Sequence, residues 1–182
     1  MSKMPPNCRD VTAQHHGTVF SLVGLSRDAD NISIKRTSYH ESGHAICGRV
    51  LGFACGGATI TADGTGSATV AGVLSLHWDL TRGDILSSVL DKITVCWSGG
   101  VAEDIKFGSA DDVRGDLAQI QQLAARYFVQ DHDIERARAR AHELLTKPKH
   151  WDAVERPAAE LLNKKTLTGA EIDKLVSQIG HA

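Results

Sequence analysis

Apolar residues recur at helical spacing along most of this chain, a pattern that predicts a mainly α protein. The first helix is predicted at about residues 32–51. Its buried face is predicted to contain Ile34, Tyr39, Ile46, Val50 and Leu51. Asp28, Asp30 and Asn31 precede this helix and are typical N-cap residues. Gly52 follows it and is typical of a helix end.

A segment rich in Gly, Thr, Ala and Val comes next, and its composition favours short strands. We predict strands at residues 58–62 and 68–74, joined by a turn at residues 63–66. This hairpin either covers the core or offers a strand edge to an extended peptide. The sequence leaves both interpretations open.

The helical pattern resumes at residues 81–107 and contains one interruption, Ser-Gly-Gly at residues 98–100. Two adjacent glycines permit either close packing against another helix or a kink. Ser109 and Asp112 have the spacing of a capping box, which predicts that a further helix starts there and covers residues 110–129. The buried stripe of that helix is predicted to contain Leu117, Ile120, Leu123, Ala124 and Phe128.

These elements predict an α+β fold that is mainly α. It has a core built on the first helix, a small β-hairpin or sheet, and a C-terminal helical bundle. The length of 182 residues is that of one domain. We divide the chain into a lead-in at residues 1–31, a core at residues 32–130, and a helical part of the same domain at residues 131–182.

Composition and charge exclude several classes of protein. The net charge of -2 gives no bulk attraction to nucleic acid or to an anionic membrane. No apolar run is long enough to span a bilayer or to act as a signal sequence, so we expect a soluble, cytoplasmic protein. The four cysteines form no Cys-x-x-Cys pair and are predicted to be reduced thiols.

The first predicted helix contains His40-Glu41-Ser42-Gly43-His44, an H-E-x-x-H sequence. Residues four apart share one face of an α-helix, so His40 and His44 can offer two imidazoles to one zinc ion. Glu41 is turned to the side of that face and is suited to act as a general base on water. Two ordinary polar histidines also occur at this spacing by chance. The apolar neighbours of this pair nevertheless predict partly buried rings that need a partner.

A catalytic zinc site needs a third protein ligand and an open position. Asp116 is the first choice because it borders the buried stripe of its helix. Glu103 is the second choice because the small residues around it permit close approach. Composition alone does not separate the two. Cys47, on the same helix as the histidines, is predicted to be a small core residue, and its position leaves redox sensitivity open.

Four segments of the chain resemble, in order, the peptidase domain of the FtsH-type ATP-dependent zinc metalloproteases. TSYHESGHAICGRVLGF resembles their AYHEAGHA helix, and WSGGVAEDIKFG resembles their LGGRAAEEIIFG segment. Asp116-Leu117 and the helix after it resemble their NDL-containing helix. ARAHELL and AAELLNKKTLTGAEI are similar to the closing helices of that domain. The resemblance covers residues 32–180, which is most of the chain.

The resemblance implies a zincin-like core and a role for each matching residue. His40, His44 and Asp116 match the zinc ligands of the family, and Glu41 matches its catalytic base. Glu103 matches a family glutamate that lies near the site, which makes it a candidate partner of a ligand. Residues 109–115 depart from the family's TGA segment, so Asp112 stays open as a weaker alternative ligand.

The resemblance further implies a zinc metalloendopeptidase that hydrolyses peptides or unfolded proteins. The chain has no Gly-x-x-x-x-Gly-Lys-Ser/Thr loop, so we expect a stand-alone peptidase domain, or one that works with a separate ATPase unfoldase. The alternative is a metal-binding interaction or regulatory module with weak catalysis. The presence of Glu41 argues against a catalytically inactive site. The natural substrate and the oligomeric state stay open.

Overall fold

A computed structural model describes residues 22–71, 82–111 and 113–177 of the chain. Within these residues it contains six helices and a three-stranded antiparallel sheet, so the prediction of a mainly α, α+β fold is confirmed. The elements are α1 (Leu22–Val50), β1 (Ala54–Ile60), β2 (Gly66–Ala71), α2 (Arg82–Phe107), α3 (Arg114–Tyr127), α4 (Asp131–Leu145), α5 (Pro148–Lys164), β3 (Thr166–Thr168) and α6 (Gly169–Ser177). Asp112 and most of the predicted lead-in lie outside the described residues.

Helix α1 begins at Leu22, well before the predicted start near residue 32. The prediction that Asp28, Asp30 and Asn31 cap this helix is therefore wrong, because all three lie inside it. Cap preference is a weak local prior, and it does not stop a helix that continues on both sides. The predicted end is confirmed: Gly52 has φ 83° and its N–H bonds back to Arg49 O at 3.0 Å.

The predicted hairpin is confirmed, with strand bounds shifted by a few residues. β1 pairs antiparallel with β2, and the sheet order is β2-β1-β3. Residues 166–168 were predicted as part of the helical bundle, but they form the third strand and pair with β1. Three residues are too few to show a period, and their conformation follows from pairing with β1, which buries Leu167 opposite Ala58.

Helix α2 continues through its Ser-Gly-Gly interruption, so the glycines serve close packing. A Cβ atom on Gly100 would meet Val113, and α1 packs on the same turn of α2 through Gly43. A Cβ atom placed on Gly43 would lie 2.5 Å from Ser98 O and 2.7 Å from the Ala102 Cβ. This near contact of the two backbones brings the H-E-x-x-H segment directly against α2.

Helix α3 begins at Arg114 and has no side-chain hydrogen bond at its N-cap, Val113. The prediction of a helix from residue 110 with a capping box at Ser109 is therefore wrong. The Ser109 hydroxyl accepts a hydrogen bond from Arg36 Nη2 at 2.8 Å instead. A tertiary contact from α1 has taken the place of the local cap.

Two hydrophobic clusters hold these elements together. The larger cluster packs α1, α5 and α6 against the sheet, and its buried members include Ile46, Ile60, Val154, Leu161 and Ile172. The smaller cluster joins α2, α3 and α4 through Val89, Ile93, Ile120 and Ala137. In the part of the chain described here, no helix combines the length and the apolar character needed to cross a membrane.

Phe128 was predicted to lie on the buried stripe of α3, and this prediction is wrong. The side chain is 78% exposed, and the residue is the C-cap of α3 in the left-handed conformation, with φ 57° and ψ 41°. We expect Phe128→Gly to raise the free energy of unfolding by about 0.5–1 kcal/mol, because glycine adopts this conformation without a Cβ clash. Urea unfolding followed by circular dichroism measures the change.

Phe128→Ala is the control for this prediction, because it removes the exposed phenyl group but keeps the Cβ atom. Its free energy of unfolding should stay within about 0.5 kcal/mol of the original chain. If the glycine variant were less stable than the alanine variant, the phenyl group would have a packing role that the structure does not indicate.

Candidate metal centre

The two histidines of α1 point into the same space. The ring centroids of His40 and His44 are 4.6 Å apart, with the ring planes at 78°. Their Nε2 atoms are 3.0 Å apart. The i, i+4 spacing places both side chains on one face of α1, and contacts from α2 orient the two rings.

Asp116 reaches the two histidines from the first turn of α3. Its Oδ2 lies 3.0 Å from His40 Nε2, and its Oδ1 lies 3.3 Å from His44 Nε2. One ligand atom from each of the three side chains lies within 4.8 Å of the others, so the group could hold a metal ion. The structure thus brings together the three residues proposed as ligands.

The far nitrogen of each imidazole is bound to an acceptor. His44 Nδ1 lies 2.7 Å from Val95 O, and His40 Nδ1 lies 2.7 Å from Glu103 Oε1. A carbonyl oxygen and an ionised carboxylate only accept hydrogen bonds, so Nδ1 carries the proton in both rings. In the neutral rings both Nε2 lone pairs are then directed toward the shared space, which is the state that binds a metal.

Three electron-rich groups that face one another need a cation between them. Asp116 Oδ2 is buried and has no hydrogen-bond partner. Burial lowers the pKa of His40, but the carboxylates of Asp116 and Glu103 outweigh it and raise this pKa to about 10. A proton can therefore supply the positive charge, and so can a divalent ion.

The donor set fits zinc, which is bound in proteins by two imidazoles and a carboxylate in catalytic sites. The edge of a zinc tetrahedron with bonds of about 2.0–2.1 Å is about 3.3 Å. In the structure the two Nε2 atoms are 3.0 Å apart, and they lie 3.0 and 3.3 Å from different oxygens of Asp116. These residues can therefore reach one such ion with little movement.

Gly99 of α2 lies against both imidazoles. A Cβ atom at this position would be 2.5 Å from His40 Nε2 and similarly close to His44 Nε2. Any side chain larger than hydrogen would push the two ligand atoms out of place. The sequence predicted either close packing or a kink at this glycine and gave no sign of its contact with the proposed ligands.

Glu41 is buried beside the histidines and is only 5% exposed. Burial raises its pKa, and the nearby charges of His44 and His40 lower it by less. Gly66, the first residue of β2, packs on this carboxylate: a Cβ there would lie 2.8 Å from Glu41 Oε1. Because Gly66 has no side chain, the Glu41 carboxylate has room at this position.

Glu103 connects this centre to a residue that the sequence analysis missed. Its side chain is 4% exposed, and its Oε2 accepts a hydrogen bond from Arg36 Nη1 at 3.2 Å. The available signal was spacing, because Arg36, His40 and His44 stand four residues apart on one face of α1. Glu103 does not join the three residues that could hold the ion.

Cys47 lies in the core, about one turn after His44 on α1, and is fully buried. Burial raises the pKa of its thiol to about 12, which keeps it protonated and weakly reactive. These properties agree with the expectation of a small core residue.

A cleft of about 510 Å³ opens in front of the centre. One side is α1, with Thr37, His40 and Glu41, and another is the start of α3 with Asp116. The third side is the turn before β2 together with residues 66–68 of that strand. The proposed ligands therefore face an accessible space that borders a strand edge.

The fold and this centre define a class: a mainly α protein whose H-E-x-x-H helix meets a carboxylate in a group that could hold a metal ion. No family model matches the chain. Among curated proteins, it is 32% identical over 113 residues to the ATP-dependent zinc metalloprotease FtsH of Borreliella burgdorferi (strain ZS7). This match covers 58% of the chain and 17% of that relative. The comparison supports a distant relationship to a metalloprotease.

Proposed function

We propose that this chain is a zinc-dependent metalloendopeptidase of the FtsH type, which hydrolyses peptide bonds in peptides or unfolded proteins. One observation carries the proposal. The Nε2 atoms of His40 and His44 and the carboxylate of Asp116 converge, and the cleft in front of them is also lined by Glu41. The similarity to an enzyme named as a zinc metalloprotease agrees with this chemistry.

In this proposal His40, His44 and Asp116 hold the zinc ion. A zinc ion held there supplies a Lewis acid that polarises the scissile carbonyl and increases the acidity of water. Glu103 and the Val95 carbonyl keep the protons on the two Nδ1 atoms, which orients both rings and leaves Nε2 free to bind.

Glu41 is the proposed general base. Its carboxylate takes a proton from the attacking water and then delivers that proton to the leaving amine. Burial raises the pKa of Glu41, which makes its carboxylate a better proton acceptor than an exposed glutamate. Its position in the wall of the cleft lets it act without ligating the metal.

Strand β2 offers a place for the substrate backbone. It is an edge of the described sheet, since only β1 pairs with it, and residues 66–68 border the cleft. An extended peptide could add to this edge through main-chain hydrogen bonds, which bind without regard to sequence. This mode suits unfolded protein segments as substrates.

The test is zinc binding and casein cleavage, measured for the chain and for Asp116→Ala. The chain should bind one zinc ion and degrade unfolded casein without ATP. Asp116→Ala should lose the zinc at concentrations that saturate the original chain, because two imidazoles remain as the only protein ligands. Metal analysis after dialysis and gel assays give both results.

Gln119→Ala is the matched control, because Gln119 lines the same cleft one turn further along α3. It should retain the zinc. A full zinc complement in Asp116→Ala would refute the ligand assignment. Zinc binding without cleavage in every variant would instead favour a regulatory module or a requirement for a separate ATPase.

A further inference from the structure

Arg36, on the same face of α1 as the two histidines, uses all three guanidinium nitrogens in contacts with residues of other segments. Its three guanidinium nitrogens bind Glu103 Oε2 at 3.2 Å, the Ser109 carbonyl at 2.9 Å, the Ser109 hydroxyl at 2.8 Å and Asp111 Oδ2 at 2.9 Å. The group also lies 4.9 Å from the centre of the Phe107 ring. Its side chain is 15% exposed.

These contacts join two parts of the proposed metal centre. Glu103 accepts a hydrogen bond from His40, and its other oxygen accepts from both Arg36 and the Asp111 amide, the latter at 3.1 Å. Ser109 and Asp111 belong to the loop that leads from α2 into α3. Arg36 therefore binds both the partner of one ligand and the segment that carries another.

The position of Asp116 depends on this loop. Asp116 lies five residues after Asp111, and α3 has no side-chain cap that would fix its start. The Asp116 oxygen Oδ2 has no hydrogen-bond partner of its own. Apart from its approach to the two imidazoles, its placement comes from the loop and from the packing of α3 on α2.

We propose that Arg36 is a positioning residue. It binds the loop at residues 108–111 to α1 and thereby holds Asp116 opposite His40 and His44. The inference rests on the proposed metal site and adds the element that assembles its third ligand. The planar guanidinium group of arginine can bind acceptors on several segments at once. The single ammonium group of lysine cannot reproduce that geometry.

The experiment is titration of the full chain with Co²⁺, followed by the visible absorption of the bound ion. Arg36→Met should weaken the affinity for Co²⁺ by about 10- to 100-fold, the usual cost of losing a partner of the ligands. It should also change the absorption spectrum, because Asp116 no longer holds its place. Arg36→Lys should recover only part of the affinity.

Two further variants separate positioning from folding. Asp111→Asn removes one ion pair at an exposed position and should give a smaller loss of Co²⁺ affinity than Arg36→Met. Arg156→Met, at an exposed position on α5, should bind Co²⁺ like the original chain. A merely structural role for Arg36 would lower the midpoint of urea unfolding and leave the spectrum of the bound ion unchanged.

Hydrogen exchange of the Asp111 amide gives a second readout that needs no metal. Exchange at this amide should be faster in Arg36→Met than in Arg156→Met. The inference would be overturned if Arg36→Met bound Co²⁺ with the affinity and spectrum of the original chain and its Asp111 amide exchanged at the same rate. The proposed metal site would be unaffected by that result. If the original chain bound no Co²⁺, the proposed metal site itself would fail, and the inference would fail with it.

Discussion

Glu41→Gln should bind zinc as well as the original chain and lose about 10²- to 10⁴-fold in the rate of casein cleavage. The amide has the size of the carboxylate but cannot take a proton from water. Glu41 is outside the group that could hold the ion, so the ligands are unchanged. Metal analysis and cleavage rates measured without ATP check both parts of the prediction.

Glu143→Gln is the control for this change, because it makes the same substitution at an exposed position on α4. It should cleave casein at the original rate. Stability should not fall in Glu41→Gln, because burial raises the pKa of Glu41 and the buried charge is therefore costly. Cleavage at the original rate by Glu41→Gln would show that another group is the base.

Gly99→Ala should fold and fail to bind zinc. The added methyl group would lie 2.5 Å from His40 Nε2, well inside ordinary van der Waals distance, and equally near His44 Nε2. The rings must turn away and can no longer direct both lone pairs at one ion. We expect the dissociation constant for zinc to rise by more than about 100-fold, beyond the usual effect of changing a partner of the ligands.

The fold should survive this substitution. Alanine is favoured over glycine inside a helix by about 0.5–1 kcal/mol, and the atoms that must move are the ends of two side chains next to an open cleft. Gly115→Ala is the matched control: it is adjacent to Asp116, and a Cβ there meets nothing within 4 Å. Equal zinc affinity in the two variants would show that Gly99 does not limit the space around the ion site.

Periodicity was sufficient to predict most helices and the hairpin, because burial of one face imposes a period of 3.6 or 2 on the sequence. The predictions from periodicity and local motifs were wrong at two positions near the ends of α3. The helix predicted from residue 110 begins at Arg114, and the Ser109 hydroxyl accepts a hydrogen bond from Arg36. Phe128 continues the apolar stripe in sequence, yet α3 has already ended at Tyr127.

The sequence by itself determined that His40 and His44 share a helix face, because that follows from four residues at 3.6 per turn. It did not choose between Asp116 and Glu103 from the residues alone, since both are acidic residues near apolar stripes. Only the tertiary structure decided which carboxylate approaches Nε2 and which approaches Nδ1, because these distances depend on how α2 and α3 pack against α1. It alone also revealed Arg36 and Gly99, whose contacts join residues far apart in the chain.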